Sequence, residues 1–472
     1  MLSDAQVERL IGSRTALAYF YCVIKTELSY NVFVAAKVPA PAPQEKRLAA
    51  YLEWLAPAVG HADRVKPLRN YCTGLLLDGE RKSVEPMAVR IAPDQAQKMH
   101  ESLHHFVAQS PWSEADMLRQ VRNYVLPMMQ RQGPVTAWIV DETGFVKRGN
   151  HSVGVTRQYC GRVGKKENCQ VAVSLSIATS TASLPIAWQL YLPEEWANDA
   201  ERRIQAAVPK EVRFQTKPQI ALAQIQRAAK EKVVRGVVLA DEVYGSNREF
   251  RAGLAELKLR YSLAVRSNTT VWALGWQPLP PKPGRGKGHR PTRTRRDQAH
   301  QPITVKQLAQ ELPNEAWREV AWREGSNKRL CSRFAALRVR PAYEDHSKAG
   351  PQAEQWLLIE WPIRTQEPSG YWLASLPAKL PLKRLVEISK HRWVIERDYE
   401  ELKGELGLAH YEGRNWRGFH HHGTLCIAAY GFLIAERSRF SPSAHVGHLE
   451  LRATPIPAGF RPRGAKGTSA AS

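Results

Sequence analysis

Cysteine is scarce and scattered. The chain carries six in 472 residues, no Cys-x-x-Cys, and its closest pair, Cys160 and Cys169, lies nine apart. This supports neither a disulfide framework nor a zinc site, and it suits a reduced, cytoplasmic protein. Long apolar runs are also missing. A spanning helix needs roughly 18 consecutive apolar residues, and the best stretch, 424–435, is too short and reads as a core helix. The apolar stretch 16–24 follows Asp4 and Glu8 and lacks a clean cleavage site, so no signal peptide is expected. Acidic residues are the third shortage. Asp and Glu number 45 against 68 Lys and Arg, a formal net charge of +23. Such an excess points to a polyanionic partner, with nucleic acid ahead of an anionic membrane.

What is present divides into zones. Residues 1–130 read as a helical N-terminal DNA-binding region, helix-turn-helix-like or a plain bundle. Helical spacing occupies 45–59, 64–77, 93–110 and 113–129, the last with Ser113 as N-cap, Asp116 at N3 and Trp112 and Met117 as a staple. Pro39, Pro41 and Pro43 set off the first 38 residues as a loose arm. From 131 to 272 the pattern is three strands, helix, strand, helix, strand, which suits an α/β layer with a mixed sheet. Two of these strands, 135–140 and 235–240, run into Asp141 and Asp241. Residues 273–376 open with a basic loop and continue as a small antiparallel β insertion. The loop carries Lys282, Arg285, Lys287, Arg290, Arg293, Arg295 and Arg296 with no acid before Asp297, so it should be mobile and DNA-facing. Helices fill 377–437, and a basic tail, 438–472, is expected to be disordered.

The stretch 391–408 reads as one helix. At about 100° per residue, Arg392, Glu396 and Lys403 fall within roughly 40° of one another. Ile388, Ile395, Tyr399, Leu402 and Leu406 form an apolar stripe beside them. Alone, this is an amphipathic helix with ordinary charge pairs. Beside Asp141 and Asp241, it supplies a third carboxylate. Three acids on neighbouring elements repel unless cations lie between them. Hard divalent ions take oxygen ligands, and a pair of them drives in-line phosphoryl displacement.

Here the chain resembles bacterial insertion-sequence transposases of the DDE superfamily. Three segments carry the resemblance: Val140-Asp-Glu-Thr-Gly-Phe145 with Lys147 and Gly149; Leu239-Ala-Asp-Glu-Val-Tyr-Gly245; and Arg392-x3-Glu396-x6-Lys403. The third matches the Tyr-Arg-Glu-Lys signature of the cut-and-paste branch, with Ser389 in the tyrosine's place. His151-Ser-Val-Gly-Val, Arg157-Gln-Tyr-Cys160 and Gly413-Arg-Asn-Trp-Arg-Gly-Phe-His-His-His422 match one subgroup, and the similarity spans about 50–435. The resemblance implies an RNase H-like mixed sheet flanked by helices. It implies Asp141, Asp241 and Glu396 as catalytic metal ligands for two Mg²⁺ ions, with Mn²⁺ able to substitute. Arg392 and Lys403 would hold the DNA backbone. The implied partners are the double-stranded transposon ends and target, held by a homodimer in the bacterial, nucleoid-associated cytoplasm. Cleavage at terminal inverted repeats and strand transfer would follow.

Other readings remain open. The chain could be a transposase-derived DNA-binding protein that does not cut, or another RNase H-like nuclease. Strand alternation sends Glu142 and Glu242 away from their neighbouring Asp, so one of each pair should line the site. Lys147 reads as solvated, His420–His422 as backbone or DNA contacts, and Trp356, Trp361 and Trp372 as insertion core rather than a device for base flipping. The charge pattern yields a first prediction. Binding to duplex DNA should weaken steeply with salt, log K falling by about 0.9 per neutralised phosphate. Replacing the seven basic residues of 282–296 by Gln should flatten that slope in titrations at several salt concentrations; an unchanged slope would place the grip elsewhere.

Overall fold

The computed structural model describes residues 44–161, 163–282, 292–324, 329–343 and 350–439. The expected N-terminal arm, the tail beyond 439, and Arg285, Lys287 and Arg290 lie outside them.

Five helices come first: α1 (Gln44–Leu55), α2 (Val65–Leu76), α3 (Val84–Ile91), α4 (Ala96–Ala108) and α5 (Glu114–Gln132). Helix α3 was not anticipated. Ser113 caps α5 by accepting from the Asp116 amide at 3.1 Å. The sheet then begins with β1 (Ala137–Val146), β2 (Thr156–Cys160), β3 (Lys165–Ala178) and β4 (Ser183–Leu190). Short helices α6 (Glu194–Ala197) and α7 (Ala200–Gln205) lead to α8 (Lys217–Lys230), which opens with a Thr216/Gln219 capping box. Next come β5 (Val237–Ala240), α9 (Glu242–Gly245), α10 (Arg248–Glu256) and β6 (Tyr261–Ala264). The insertion holds β7 (Thr270–Trp272), β8 (Ile303–Thr304), α11 (Val305–Glu311), β9 (Arg318–Glu324), β10 (Arg329–Pro341), β11 (Gln355–Trp361) and β12 (Gly370–Ala374). Helices α12 (Leu382–Lys390), α13 (Val394–Gly404) and α14 (Trp416–Arg437) close the described chain.

The centre of the sheet runs β3–β1–β5–β6, with β1 antiparallel to β3 and parallel to β5. Strand β3 is long enough to pair β2 along its first half and β4 along its second. This mixed order, flanked by helices, is RNase H-like. The insertion departs from expectation. Its strands are antiparallel, but β12 pairs with β6, so among the described residues one sheet of twelve strands runs from core through insertion. One face of the added strands packs Leu357, Ile359 and Leu373 with Val305 and Leu308 of α11. The other packs Phe334 and Leu358 with Leu385 and Val386 of α12. Trp356 and Trp361 donate to backbone carbonyls of Pro377 and Thr365, and Trp372 lies under the Lys390 ammonium.

Helix α14 is the spine. It is apolar on nearly every side and buried on nearly every residue, as a helix enclosed by other elements must be. Helices α1–α5 share one apolar core with it and with the sheet. The histidine run sits here on backbone groups. His420 accepts from the Leu190 amide (3.1 Å), His421 lies between the Val107 and Trp112 carbonyls, and His422 meets Tyr71 Oη (2.9 Å) and the Gly407 carbonyl. Burial lowers their pKa values to about 4, 3 and 4.

Where α14 meets α13, Asp398 is wholly buried and accepts from the Ser183 hydroxyl and from Tyr430 Oη at 2.9 Å. Burial raises its pKa to about 7, against the lowering effect of those two hydroxyls. A raised carboxyl pKa means the fold prefers the protonated form. That preference is fully present below the unfolded value of 3.8 and is lost as pH rises through about 7. The second prediction is that the wild-type melting temperature falls between about pH 4 and pH 7, and that Asp398→Asn reduces this fall. Melting curves of both proteins across that range provide the check; parallel pH profiles would contradict it.

Candidate active site

The site follows from where two parallel strands part. The β1–β5 register pairs Ala137 with Val237 and Ile139 with Leu239, an offset of one hundred residues. Carried two residues on, it sets Asp141 level with Asp241. Strand β5 stops there, and Asp241 becomes the N-cap of α9, its carboxylate accepting the Val243 amide at 2.9 Å. Strand β1 does not stop at Asp141, as its sequence suggested. It continues to Val146, paired with β3, because Thr143–Val146 remains β-forming and half enclosed. Loss of β5 beside a continuing β1 opens a cleft of about 1020 Å³.

Glycine makes the turn after Asp241 possible. A Cβ on Gly245 would run into the Ala264 carbonyl of β6, so α9 lies flat on the sheet only without a side chain there.

The stretch 391–408 is not one helix. Helix α12 ends at Lys390, a 3₁₀ turn covers His391–Trp393, and α13 starts at Val394 and ends at Gly404. Arg392 therefore stands on the turn and Glu396 in the first turn of α13. The shared face survives: Arg392, Glu396 and Lys403 all line the cleft with Asp141 and Asp241. Ile395, Leu402 and Leu406 are buried as the stripe required. Arg392 Nη1 lies 3.0 Å from Asp141 Oδ2. Lys403 donates to the Gly144 carbonyl at 3.1 Å and lies over the Phe145 ring. Tyr399 is buried and its hydroxyl meets Ser174 Oγ at 2.7 Å.

Electrostatics set this cleft apart. Its lining has six acids (Asp141, Glu142, Asp241, Glu242, Glu396, Glu400) against four bases (Lys217, Arg266, Arg392, Lys403), the reverse of the chain's balance. Burial raises the Asp141 pKa to about 6, with Asp241 adding to the rise and Arg392 opposing it. Burial disfavours the Arg392 charge, but Asp141, Asp241 and Glu396 together raise its pKa. One oxygen of Glu142 is buried without a hydrogen-bond partner among the described residues; the other holds Lys217 at 2.7 Å.

These findings correct two expectations. Glu142 and Glu242 border the cleft along with their Asp neighbours. Alternation fails because Glu242 is already helical and Glu142 sits at a rim where the sheet has lost a strand. Lys147 is half-buried rather than solvated, donating to the Tyr411 carbonyl at 2.8 Å. Ser389 is buried against β6, its Oγ 2.7 Å from that of Ser262. The described residues of the basic segment are not among those that line the cleft. The segment's ends are tied together, with Leu279 and Arg295 exchanging backbone bonds at 2.9 Å. Arg295 pairs with Asp297 at 3.9 Å, and Arg296 donates to the Ala342 carbonyl and lies over Trp272. Sequence reasoning had passed over Lys217 and Arg266 and had Tyr159 only within the matched 157–160 segment, with no role; their places in the cleft depend on chain crossings that no local pattern signals.

The acid surplus bears on metal binding. Among the described residues no three acid, cysteine or histidine side chains form a ready cluster for an ion. The donor set nevertheless fits a hard divalent cation. It is all oxygen, in excess over bases, and its most buried member is held by a guanidinium.

Comparison with known proteins bears on this arrangement. Residues 54–329, more than half of the chain, match the family described as DDE superfamily endonuclease. The match contains Asp141 and Asp241 and stops before Glu396. A protein of Microchaete diplosiphon described as "probable transposase for insertion sequence element IS701" is 33% identical over 238 residues. That stretch is 49% of this chain and 57% of the relative, so the chain spans little more than half of the relative's length. The third prediction concerns the turn. Gly245→Ala should cost about 1–3 kcal/mol of stability through overpacking, measured by denaturant unfolding, and should displace Asp241. Unchanged stability would show that α9 tolerates a side chain on the sheet.

Proposed function

The chain belongs to the DDE superfamily endonucleases, and from that premise we propose that it is a DNA transposase that cuts and joins the ends of its own insertion sequence. The observation that carries this reading is the convergence of Asp141, Asp241 and Glu396, from three distant segments, with Arg392 and Lys403 in one acid-rich cleft. The three carboxylates would hold two Mg²⁺ ions, with Mn²⁺ as a substitute. Bound there, the ions would supply an activated attacking oxygen and neutralise charge at the leaving oxygen.

The chain's own groups position the strand. Arg392, drawn to Asp141 in the free protein, would exchange that carboxylate for a phosphate, its planar fork making a bidentate contact. Lys403 would add a point charge from the same cleft lining. Water attack at the end of the element breaks the P–O3′ bond and leaves a 3′-hydroxyl. That hydroxyl then attacks the opposite strand or the target DNA, without a covalent protein intermediate. Terminal inverted repeats would be gripped by the basic surface, with 282–296 and the N-terminal helices as contributors, and two copies of the chain would pair the ends. Among the described residues no helix is long and apolar enough to cross a membrane.

The fourth prediction separates cutting from holding. Asp141→Asn, Asp241→Asn and Glu396→Gln should each abolish Mg²⁺-dependent nicking of the element's end duplexes while end binding persists. Arg392→Lys should slow single-turnover cleavage by about tenfold or more, since Lys cannot copy the bidentate contact, and Lys403→Arg should be milder. If these variants only melt earlier and cut at the wild-type rate, the two cations serve the fold rather than the reaction. Nicking by the Glu396→Gln protein would pass the third ligand's role to another acid such as Glu400.

A further inference from the structure

Strands β2 and β3 form a hairpin whose tip reaches the cleft. Tyr159 and Gly161 line it together with the three carboxylates. Tyr159 is 55% exposed, unusual for so large a ring beside a formed cleft. Alternation explains its direction. Gln158 and Cys160 turn inward: Gln158 donates to the Cys169 carbonyl at 3.0 Å, and Cys160 is fully buried. Arg157 and Tyr159 therefore share the outward face. The register places Lys166 directly opposite Tyr159, hence on that same face. All three are exposed, and Lys165 follows at the tip. The outward face is thus an aromatic ring flanked by cations on the rim of an otherwise acidic cleft.

That combination fits a polynucleotide strand and little else. The ring offers a stacking platform that any base can use, and the cations track the backbone on either side. No other tyrosine at the cleft can do this, because the Tyr399 hydroxyl is spent on Ser174 and its ring is buried. We infer that the β2–β3 hairpin is a strand-positioning device: Tyr159 stacks on a base next to the scissile phosphate, and Arg157 and Lys166 hold the neighbouring phosphates. This deepens the proposed transposase reading and rests on it. Tyr159 is a positioning residue, since no reacting atom needs its hydroxyl.

The test uses the full chain and duplexes taken from the DNA flanking its coding sequence. A 2-aminopurine is placed in turn at each base around the nick. Binding of wild-type protein should quench or shift the fluorescence of one such base, in the Asp241→Asn protein as well, which separates stacking from cutting. Tyr159→Ala should abolish that signal and slow single-turnover nicking about tenfold, the size of a lost base stack. Tyr159→Phe and Tyr159→Trp should restore most of both. Arg157→Gln/Lys166→Gln should weaken binding and reduce the salt slope by roughly two phosphates. Because Tyr159 is exposed, melting temperatures should not change. Wild-type nicking and fluorescence in Tyr159→Ala would overturn the hairpin's role while leaving the transposase reading intact. A wild-type chain that gives the stacking signal but never cuts would overturn the transposase reading and leave the hairpin's. A chain that does neither overturns both.

Discussion

Crowded negative charge is the constraint on which the functional part of this molecule depends. Asp141 on β1 and Asp241 just past the end of the parallel β5 stand level, and Glu396 of α13 lines the same cleft. In a buried rim such a group cannot stay ionised without a counter-charge. Arg392 supplies one, 3.0 Å from Asp141. Its place on a 3₁₀ turn between two helices follows from that duty. The turn puts the guanidinium over β1, and α13 then starts with Glu396 on the same side. A protein with an overall excess of base has kept its acids where a cation, from the chain or from solution, is needed.

The rest of the fold holds that rim in place. Strand β5 ends and β1 continues, so the sheet itself forms the floor. Helix α14 passes behind and ties the N-terminal helices to the sheet through buried neutral histidines, which satisfy backbone groups without adding charge. The insertion joins its strands to β6 and so extends the one sheet. The described ends of the basic segment are fastened to each other through Leu279 and Arg295. An acidic cleft in a chain of formal net charge +23 is an arrangement suited to drawing a polyanion across a site that would itself repel it.

The residue patterns along the chain determined a good deal. Periodicity located α1, α2, α4 and α5 and the Ser113 cap, since amphipathic spacing and N-cap chemistry act within a few residues. It also placed Arg392, Glu396 and Lys403 on one face, and the offset survived the 3₁₀ turn because three residues of tighter winding shift the angle only modestly. The acids at the ends of two apolar β-runs were legible for the same local reason.

Long-range pairing decided what remained. That β1 runs through Asp141 depends on β3 pairing beside it. That the insertion belongs to the main sheet depends on β12 meeting β6. That Glu142 reaches the rim depends on β5 having ended, and that Asp398 is buried depends on Tyr430 and Ser183 arriving from elsewhere. Tyr159 shows the division best. In sequence it stands within the matched 157–160 segment, with nothing to tie it to the three acids. Only the pairing of β2 with β3 and their place in the fold bring it into the lining of the cleft. Local physics is written in neighbouring residues, whereas contacts between distant segments are fixed by the free energy of the whole packed chain, and no single stretch of sequence contains that sum.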